Sequence, residues 1–510
     1  MRNRDSGRFV PTFAALMALC AVATASPAAV AQKAPSKVVV AISSDVATLD
    51  PTIYHAIISF HARLNIFDAL TDIGPDSSVM PRFATKWEKS ADAKSWTFTI
   101  RTGAKFHNGE TVTVDDVIFS YQKIMDDEKS PTRVYVNNIA SIDRVSDTQV
   151  RFNLKTPFAP FDRNATLIAI IPKKAYQEMG ADAFGKKPIG SGPYRVVNWV
   201  KDDRLELEAF DAWWGGAPAV KQVTIRPVPS EAARSAALLS GEADIVPALP
   251  PALMQTLSNR PGVKVKVSDG YKVVYLGFNP ADPSLKDIKM RQAVDAAVDR
   301  NAITEKLLRG MGVPVGQILA KVSFGHDDKR PPTKYDPERA KQLVKESGYN
   351  GEPITFQYPN DFIASADAVA SAVAGYLKAV GINVKLEGME YNGFYALWSG
   401  KKLAGMHMFV FGPSLVDGDV PIFSVFATKG NRGYMFDPKV DQLAEDQRSE
   451  SDPKKRLEMM AQLWRETDRY QPFDYLHNER QAVGLREGVE WDAQPDGYIR
   501  FWKVKQTADR

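Results

Sequence analysis

Two glycine segments of this sequence approach the spacing of known catalytic or cofactor motifs, and neither matches it. Ser191 lies in the segment 190–194, Gly-Ser-Gly-Pro-Tyr, where proline follows the second glycine and the Gly-x-Ser-x-Gly spacing of a hydrolase nucleophile turn is absent. The segment 310–316 lacks the Gly-x-Gly-x-x-Gly spacing of a dinucleotide site, and Pro314 would interrupt the helix that such a site needs. We therefore interpret the first segment as a turn that enters a strand.

Histidine is the other residue type that could carry chemistry, as a metal ligand. The sequence has six histidines, but His55 and His61 are six positions apart and do not share a helix face. A His-Glu-x-x-His pattern and a cysteine pair are both absent. We therefore expect no metal or cofactor held by the protein alone, although a metal already bound to a small chelator stays open as a ligand.

The N-terminus resembles an export signal. Arg2, Arg4 and Arg8 precede an apolar run over 13–24, and small residues at 29–31 suit a cleavage site. We interpret residues 1–31 as a signal peptide, which predicts a periplasmic protein that is not inserted in the membrane.

Cys20, the only cysteine, lies in the apolar run of that segment. Leu19 before it argues against lipidation, because a lipoprotein signal needs a small residue there. Without residues 1–31 the chain would have no cysteine, and 62 basic against 60 acidic residues would leave a formal charge of +2. This near-neutral balance gives no sign of nucleic-acid binding.

The elements that must position any site alternate between strand and helix. The run 37–42 is β-branched, and 97–101 and 149–154 alternate as half-buried strands. Between them, Thr113 and Asp116 form the capping pattern of an amphipathic helix. Further helices are predicted after the caps Ser230, Asp336 and Asp452 and over 369–380, with strands over 243–246 and 382–386. The 510 residues suggest two to four α/β domains.

Several segments resemble the extracellular solute-binding family 5 of ABC transporters, which includes oligopeptide-, dipeptide- and nickel-binding proteins. The most specific is Trp96–Gly109, which continues into Asp115–Tyr121 and resembles the family signature of strand, glycine turn and capped helix. Others follow in the family's order: Thr48–Pro51, Asn65–Leu70, Gly190–Tyr194, Trp213–Gly216, Ser240–Ile245, Phe278–Asn279 and Arg291–Arg300.

The resemblance implies an α/β, periplasmic binding protein-like fold, with two lobes around a cleft and an additional third domain. By analogy, lobe I comprises 32–78, 190–279 and 476–510, the additional domain comprises 79–189, and lobe II comprises 280–475. The domains are expected to be discontinuous and to pack closely, with lobe I drawn from three separate segments of the chain. The signature lies in the additional domain, so it indicates ancestry and not the ligand.

Two sets of residues are candidates for ligand contact. Tyr54 and His55 follow the first strand, where an open α/β sheet offers side chains to a crevice. The resemblance adds Met406–Pro421: in peptide-binding members an aromatic residue is followed three positions later by an aspartate that pairs with the peptide's amino terminus. Phe411 stands in the aromatic place here and Ser414 in that of the aspartate.

A serine cannot neutralise a buried ammonium group, so an α-amino ligand is not assured. Asp417 or Asp419 could compensate if the loop shifts, and both could equally be turn residues around Gly418. Trp398, Tyr391 and Arg432 are further candidates, each of which core packing or the solvated surface would also explain.

The implied function is a monomeric solute carrier that closes on a peptide or peptide-like molecule and delivers it to an inner-membrane ABC permease. An opine, a sugar derivative or a metal chelate is the alternative ligand. A secreted receptor, a chaperone or a hydrolase is the alternative class.

Overall fold

The computed structural model describes residues 36–53, 59–412, 416–430 and 432–507. The strands in these ranges are β1 (Lys37–Ile42), β2 (Thr71–Ile73), β3 (Val79–Pro81), β4 (Ala84–Lys89), β5 (Ser95–Ile100), β6 (Ile139–Ser146), β7 (Gln149–Leu154), β8 (Tyr194–Val200), β9 (Arg204–Ala209), β10 (Gln222–Pro227), β11 (Ile245–Val246), β12 (Val263–Phe278), β13 (Gly312–Pro314), β14 (Ile354–Pro359), β15 (Val384–Met389), β16 (Met406–Phe411), β17 (Phe473–Arg486), β18 (Val489–Glu490) and β19 (Lys505–Gln506). The helices are α1 (Phe60–Ile66), α2 (Val114–Asp126), α3 (Phe161–Asn164), α4 (Lys173–Lys186), α5 (Glu231–Ser240), α6 (Pro251–Ser258), α7 (Ile288–Ala297), α8 (Arg300–Ala302), α9 (Pro337–Glu346), α10 (Ala366–Ala379), α11 (Tyr391–Ser399), α12 (Asp419–Pro421), α13 (Pro438–Ser449) and α14 (Pro453–Asp468).

Local sequence signals account for many of these boundaries. Strands β1 and β7 coincide with the predicted runs, and β5 begins two residues earlier than expected. Helix α2 begins with the predicted capping box, in which the Thr113 hydroxyl accepts from the Asp116 backbone N–H and the Asp116 carboxylate accepts from that of Thr113. Helix α5 follows its cap Ser230 and ends at Gly241, whose φ of 79° is the left-handed conformation that glycine tolerates best.

Two predicted strands start two residues later than expected, because their first residues are engaged in a side-chain contact and in the end of a helix. In the segment 243–246, Asp244 is held to β1 by its side chain, which accepts from the Val39 N–H at 2.8 Å, and only Ile245–Val246 joins the ladder. In the segment 382–386, the Ile382 N–H donates to the carbonyl of Leu377 and completes the end of α10. Strand β15 therefore starts at residue 384.

One mixed sheet runs through most of the molecule, in the order β15-β14-β16-β12-β17-β11-β1-β10-β9-β8, with β13 also paired to β17. Its central strands β12 and β17 are the longest, with 16 and 14 residues. They are paired along almost their whole length, so both halves of the sheet are built on the same two strands.

A separate four-stranded sheet, β4-β5-β7-β6, lies within the segment predicted as the additional domain. Its own hydrophobic cluster includes Phe98, Phe152 and Phe161, all buried. Two larger clusters cover the two halves of the main sheet. The domain boundaries given above stay a prediction.

Candidate ligand-binding site

The carboxyl ends of parallel strands approach the middle of β12 and β17 from both halves of the main sheet. In one half, β14 runs parallel to β15 and β16, and the pairing of Val273 with Phe411 places the end of β16 at the middle of β12. In the other half, β1 runs parallel to β10 and β11, and the pairings Val40–Ile245 and Ile245–Leu485 direct its end toward the middle of β17. Ligands of open α/β sheets bind at such ends. The following loops therefore face one another across this region, which we call the crossing (residues 269–273 and 477–480).

The crossing is a bulge and not a regular ladder. Pairing of β12 with β17 is interrupted over residues 270–272. The Asn478 side-chain amide donates to the carbonyls of Gly270 and Lys272 at 3.0 and 2.7 Å, which satisfies groups that the ladder leaves unpaired. The bulge frees the side chains of Tyr271 and Lys272 for contacts with the loops on either side.

On the lobe I side, Tyr271 meets a buried group of aromatic rings and an arginine. Its hydroxyl interacts with that of Tyr498, and burial raises the pKa of Tyr271 to about 12. The Tyr498 ring stacks on the Phe60 ring with centroids 4.8 Å apart. The Arg63 guanidinium lies 4.2 Å from the centroid of the Phe60 ring. Burial lowers the pKa of Arg63 to about 10. This group presents rings and one cation close to the crossing.

On the lobe II side, aromatic rings cover the ends of β14, β15 and β16. Phe362 stacks on Tyr391 at 4.1 Å, and the Lys272 ammonium lies 5.7 Å from the Phe362 ring. Trp398 packs on Phe409 at 5.0 Å and is buried. These rings form one wall, to which Lys272 is adjacent.

Four sequence candidates lie in or beside this wall: Tyr391, Trp398, Phe411 and Arg432. Phe411 ends β16 at the crossing and is buried. The Arg432 guanidinium lies 5.2 Å from the Trp398 ring, so the structure brings these two candidates together. Gly412, the residue after Phe411, is closely packed: an added Cβ would lie 2.7 Å from the Lys272 side chain.

Asp417 lies in a buried ion-pair cluster that links different parts of the fold. Its two carboxylate oxygens accept from Arg456 at 2.6 and 2.9 Å, and the Nε of Arg163 lies 3.2 Å from one of them. Burial alone would raise the pKa of Asp417, but the two guanidinium groups hold it below its ordinary value. Arg163 also donates to the carbonyl of Ser77 at 2.8 Å. The cluster therefore joins lobe II to the segment 77–163 across the predicted domain boundaries.

Asp419 has equally specific partners. Arg448 donates to both of its oxygens at 2.7 and 2.9 Å, and the Gln447 amide donates to one of them at 2.6 Å. Both candidate aspartates are thus engaged by arginines from α13, α14 and α3. Both are buried counter-ions, and Asp417 also takes the turn role that the sequence offered as an alternative, because its carboxylate accepts from the Asp419 backbone N–H across Gly418 at 2.8 Å.

Glu479 is a residue at the crossing that sequence reasoning missed. It pairs with Gly312 of β13 through its backbone and is partly exposed. Burial raises the pKa of its carboxyl group, while Lys272 and the backbone N–H of Ala364 act in the opposite direction. Only knowledge of the crossing could have selected it, because β17 reads as one uninterrupted strand.

Arg163 and Arg456 also line a cavity of about 560 Å³. One wall is formed by residues 76–79 and 159–163 with two tryptophans, and the other by residues 321–324 and 450–456. This volume falls within the range of small-molecule sites. The cavity thus lies between lobe II and the segments that precede it.

Tyr54, His55 and Ser414 lie outside the described residues, so their ligand contact stays a prediction. Across residues 36–53, 59–412, 416–430 and 432–507, no three histidine, cysteine or acidic side chains are grouped to hold a metal ion. In the same ranges no helix combines the length and apolarity needed to cross a bilayer.

Two lobes built on shared central strands, with an extra domain beside them, define a periplasmic binding protein-like fold. Residues 78–433 match the model of the bacterial extracellular solute-binding proteins, family 5 Middle. The chain belongs to this family, as the motifs at 96–121 predicted.

Similar proteins support the same conclusion. The chain is 30% identical over 300 residues to the dipeptide-binding protein of Escherichia coli K12, an alignment that spans 53% of this chain and 55% of that relative. It is 27% identical over 417 residues to the glutathione-binding protein GsiB of Pectobacterium atrosepticum, covering 79% and 81% of the two chains.

Solved structures show the same fold. The substrate-binding protein CtaP of Listeria monocytogenes has a TM-score of 0.84 at 22% identity, with 92% of this chain and 99% of that chain covered. AppA of Bacillus subtilis, an oligopeptide-binding protein in complex with a nonapeptide, has a TM-score of 0.75 at 22% identity, with 93% of this chain and 100% of that chain covered.

Proposed function

We propose that this protein is the periplasmic solute-binding component of an ABC importer and that it carries a peptide or peptide-like molecule. The observation that carries the proposal is the facing of loops from both lobes across the crossing. A ligand held there contacts both lobes only when they are closed, so it favours the closed conformation. The crossing joins the lobes through two strands, which suits a hinge.

Peptides are the favoured ligand class because of the relatives and because of the local chemistry. Dipeptide- and glutathione-binding proteins are among the relatives, and neighbours in structure include complexes with peptides. The crossing holds cations and acidic groups and has aromatic walls on either side, which suits a molecule that has apolar side chains and charged ends. The partner would be an inner-membrane permease.

A panel of ligands tests this function. The mature chain would first be analysed by native mass spectrometry for a co-purified small molecule. Thermal unfolding would then be followed with dipeptides, tripeptides, glutathione, an opine, a sugar and a nickel–histidine complex. A ligand at 100 times its dissociation constant adds about 2.7 kcal/mol to the free energy of unfolding.

We expect peptides to stabilise the protein and to be recovered unchanged. Stabilisation by the opine, the sugar or the nickel complex alone would keep the carrier function and replace the ligand class. Hydrolysis of a peptide, or no stabilisation by any compound together with an empty protein in the mass spectrum, would contradict the carrier function.

A further inference from the structure

We propose that the cavity lined by Arg163 and Arg456 is a second ligand site, which binds a small organic acid through its carboxylate group. This inference goes beyond the proposed function, because the carried solute is expected at the crossing. The cavity has a volume of about 560 Å³, which is large enough for such a molecule.

An apolar cluster separates the cavity from the crossing. Tyr271 of the crossing is buried in this cluster, and Val79 and Val322 pack against it. The same two valines line the cavity. The cluster therefore lies between the two places, so a solute at the crossing and an acid in the cavity would occupy separate sites.

Hydrogen bonds between lobe II and the predicted additional domain run beside the cavity. The Lys89 ammonium donates to the Ser451 carbonyl at 3.0 Å, and the Ser451 hydroxyl donates to the Ala91 carbonyl at 3.2 Å. The Ala159 N–H donates to the Arg448 carbonyl at 2.7 Å. Lys89, Ser451 and Ala159 all line the cavity. A molecule bound there would therefore contact both sides of this interface.

Three buried polar atoms in the lining of the cavity have no hydrogen-bond partner among the described residues. They are the Oγ atoms of Ser77 and Ser323 and the Nε1 of Trp96, and each of these residues is at most 5% exposed. Native proteins pair nearly all buried polar groups, because an unpaired one is costly. A serine hydroxyl can turn toward the cavity by rotation about one bond. Three such groups around one cavity indicate a site for a polar molecule.

The donors and cations of the lining favour an acid. The Trp96 Nε1 can only donate a hydrogen bond. The Lys89 ammonium lies 5.4 Å from the Trp96 ring centroid and is half-buried, and its hydrogen bond in the described part of the chain is to a neutral carbonyl group. Arg163 and Arg456 are already bound by Asp417. Lys89 is therefore the cation that a carboxylate would meet.

The acidic side chains of the lining are engaged elsewhere. Asp76 accepts from the Ser78 hydroxyl at 2.7 Å, and Glu450 accepts from the Asp452 N–H at 2.7 Å. Asp162 accepts from the Trp87 indole at 3.3 Å, and burial raises the pKa of its carboxyl group. These groups therefore leave the Lys89 ammonium accessible to an acid.

Tryptophan indole signals can locate binding by NMR. The protein has nine tryptophans. Trp87 and Trp96 line the cavity, whereas Trp398 lies in the aromatic wall beside the crossing. Substitution of each by phenylalanine would assign its ¹⁵N-indole signal. The probes are acetate, succinate and glutarate, with succinamide as the uncharged analogue and inorganic phosphate as a different anion.

Calorimetry with matched variants measures the contribution of each group. The variants are Lys89→Met and Ser323→Ala. Lys86→Met is the control, because Lys86 is an exposed lysine on the same strand, β4. Thermal unfolding without ligand checks that each variant is folded.

We expect succinate or glutarate to shift the signals of Trp87 and Trp96 and to leave that of Trp398 unchanged. Lys89→Met should weaken binding at least ~10-fold, because a hydrogen bond between charged groups is lost, and Ser323→Ala should weaken it about threefold. Lys86→Met should retain the wild-type affinity, and succinamide should not bind.

Four results would overturn the assignment. They are shifts confined to Trp398, equal affinities of Lys89→Met and Lys86→Met, binding of phosphate without binding of any carboxylate, and no binding at concentrations that detect a millimolar dissociation constant. Each of them leaves the carrier function standing, because the panel of carried solutes tests that function independently.

Discussion

Replacing the buried Asp417 with asparagine should destabilise the protein more than removing any single charge from its surface. The side chain is fully buried and both oxygens accept from arginines, at 2.6 and 2.9 Å from Arg456 and at 3.2 Å from Arg163. Asparagine would take away the negative charge that both buried guanidinium groups contact. Breaking a buried pair in this way costs about 3–5 kcal/mol, and we expect a loss in this range.

Urea unfolding followed by tryptophan fluorescence would measure this loss. The control is Asp115→Asn, which removes an exposed partner of Arg144 at 2.8 Å and should cost at most ~1 kcal/mol. If Asp417→Asn and Asp115→Asn lose the same small amount, the ion-pair cluster does not hold the fold as we describe.

The same cluster has a predictable dependence on pH. The arginines hold the pKa of Asp417 below its unfolded value of 3.8. Its contribution to stability is therefore fully present above that value and is lost as the pH falls through the folded pKa. The Asp417→Asn variant should lack this acid-induced loss.

Three further substitutions test other contacts. Arg163→Met removes one of several contacts between the segment 77–163 and lobe II. It should weaken binding of a stabilising peptide about tenfold by calorimetry, and an unchanged affinity would place this contact outside the closure step. Burial lowers the pKa of His407 from 6.5 to about 3, so on acidification the unfolded chain takes up a proton that the folded chain does not. Between pH 7 and pH 5 this histidine should therefore lower the free energy of unfolding of the wild type by about 2 kcal/mol, measured by urea titration. The His407→Met variant should lack that loss. Gly190→Ala should lower the free energy of unfolding by at least ~2 kcal/mol, because the new Cβ would lie 1.9 Å from the Ile66 carbonyl oxygen. The control Gly375→Ala in α10 has open space around its Cβ and should be neutral or stabilise by up to ~1 kcal/mol. Equal effects of the two substitutions would refute the close approach at Gly190.

Much of the fold could be predicted because its local signals agree with the tertiary structure. The β-branched run at 37–42 and the box formed by Thr113 and Asp116 specify β1 and α2 without long-range information. The family motifs at 96–121 gave the fold class. Ile382 was assigned wrongly to a strand because its role in closing α10 depends on the glycine before it.

The candidate site was less predictable, because its groups come from distant segments. Asp417 looked like a turn residue, since its partners Arg163 and Arg456 lie far away in the sequence. Nothing in the alternation of β17 marks Glu479 as a residue of the crossing, which depends on the register with β12. Charge pairing of this kind follows from topology and not from local pattern.

The most direct test of the whole account is the distance between the lobes with and without ligand. Cysteines introduced at the exposed positions Val197 and Glu458 would carry a donor and an acceptor dye on lobe I and lobe II. We predict that a peptide which stabilises the protein shifts energy transfer to a closed, short-distance population, with half-saturation at its calorimetric dissociation constant. Saturating peptide that leaves the distance distribution unchanged would contradict closure of the two lobes on a ligand.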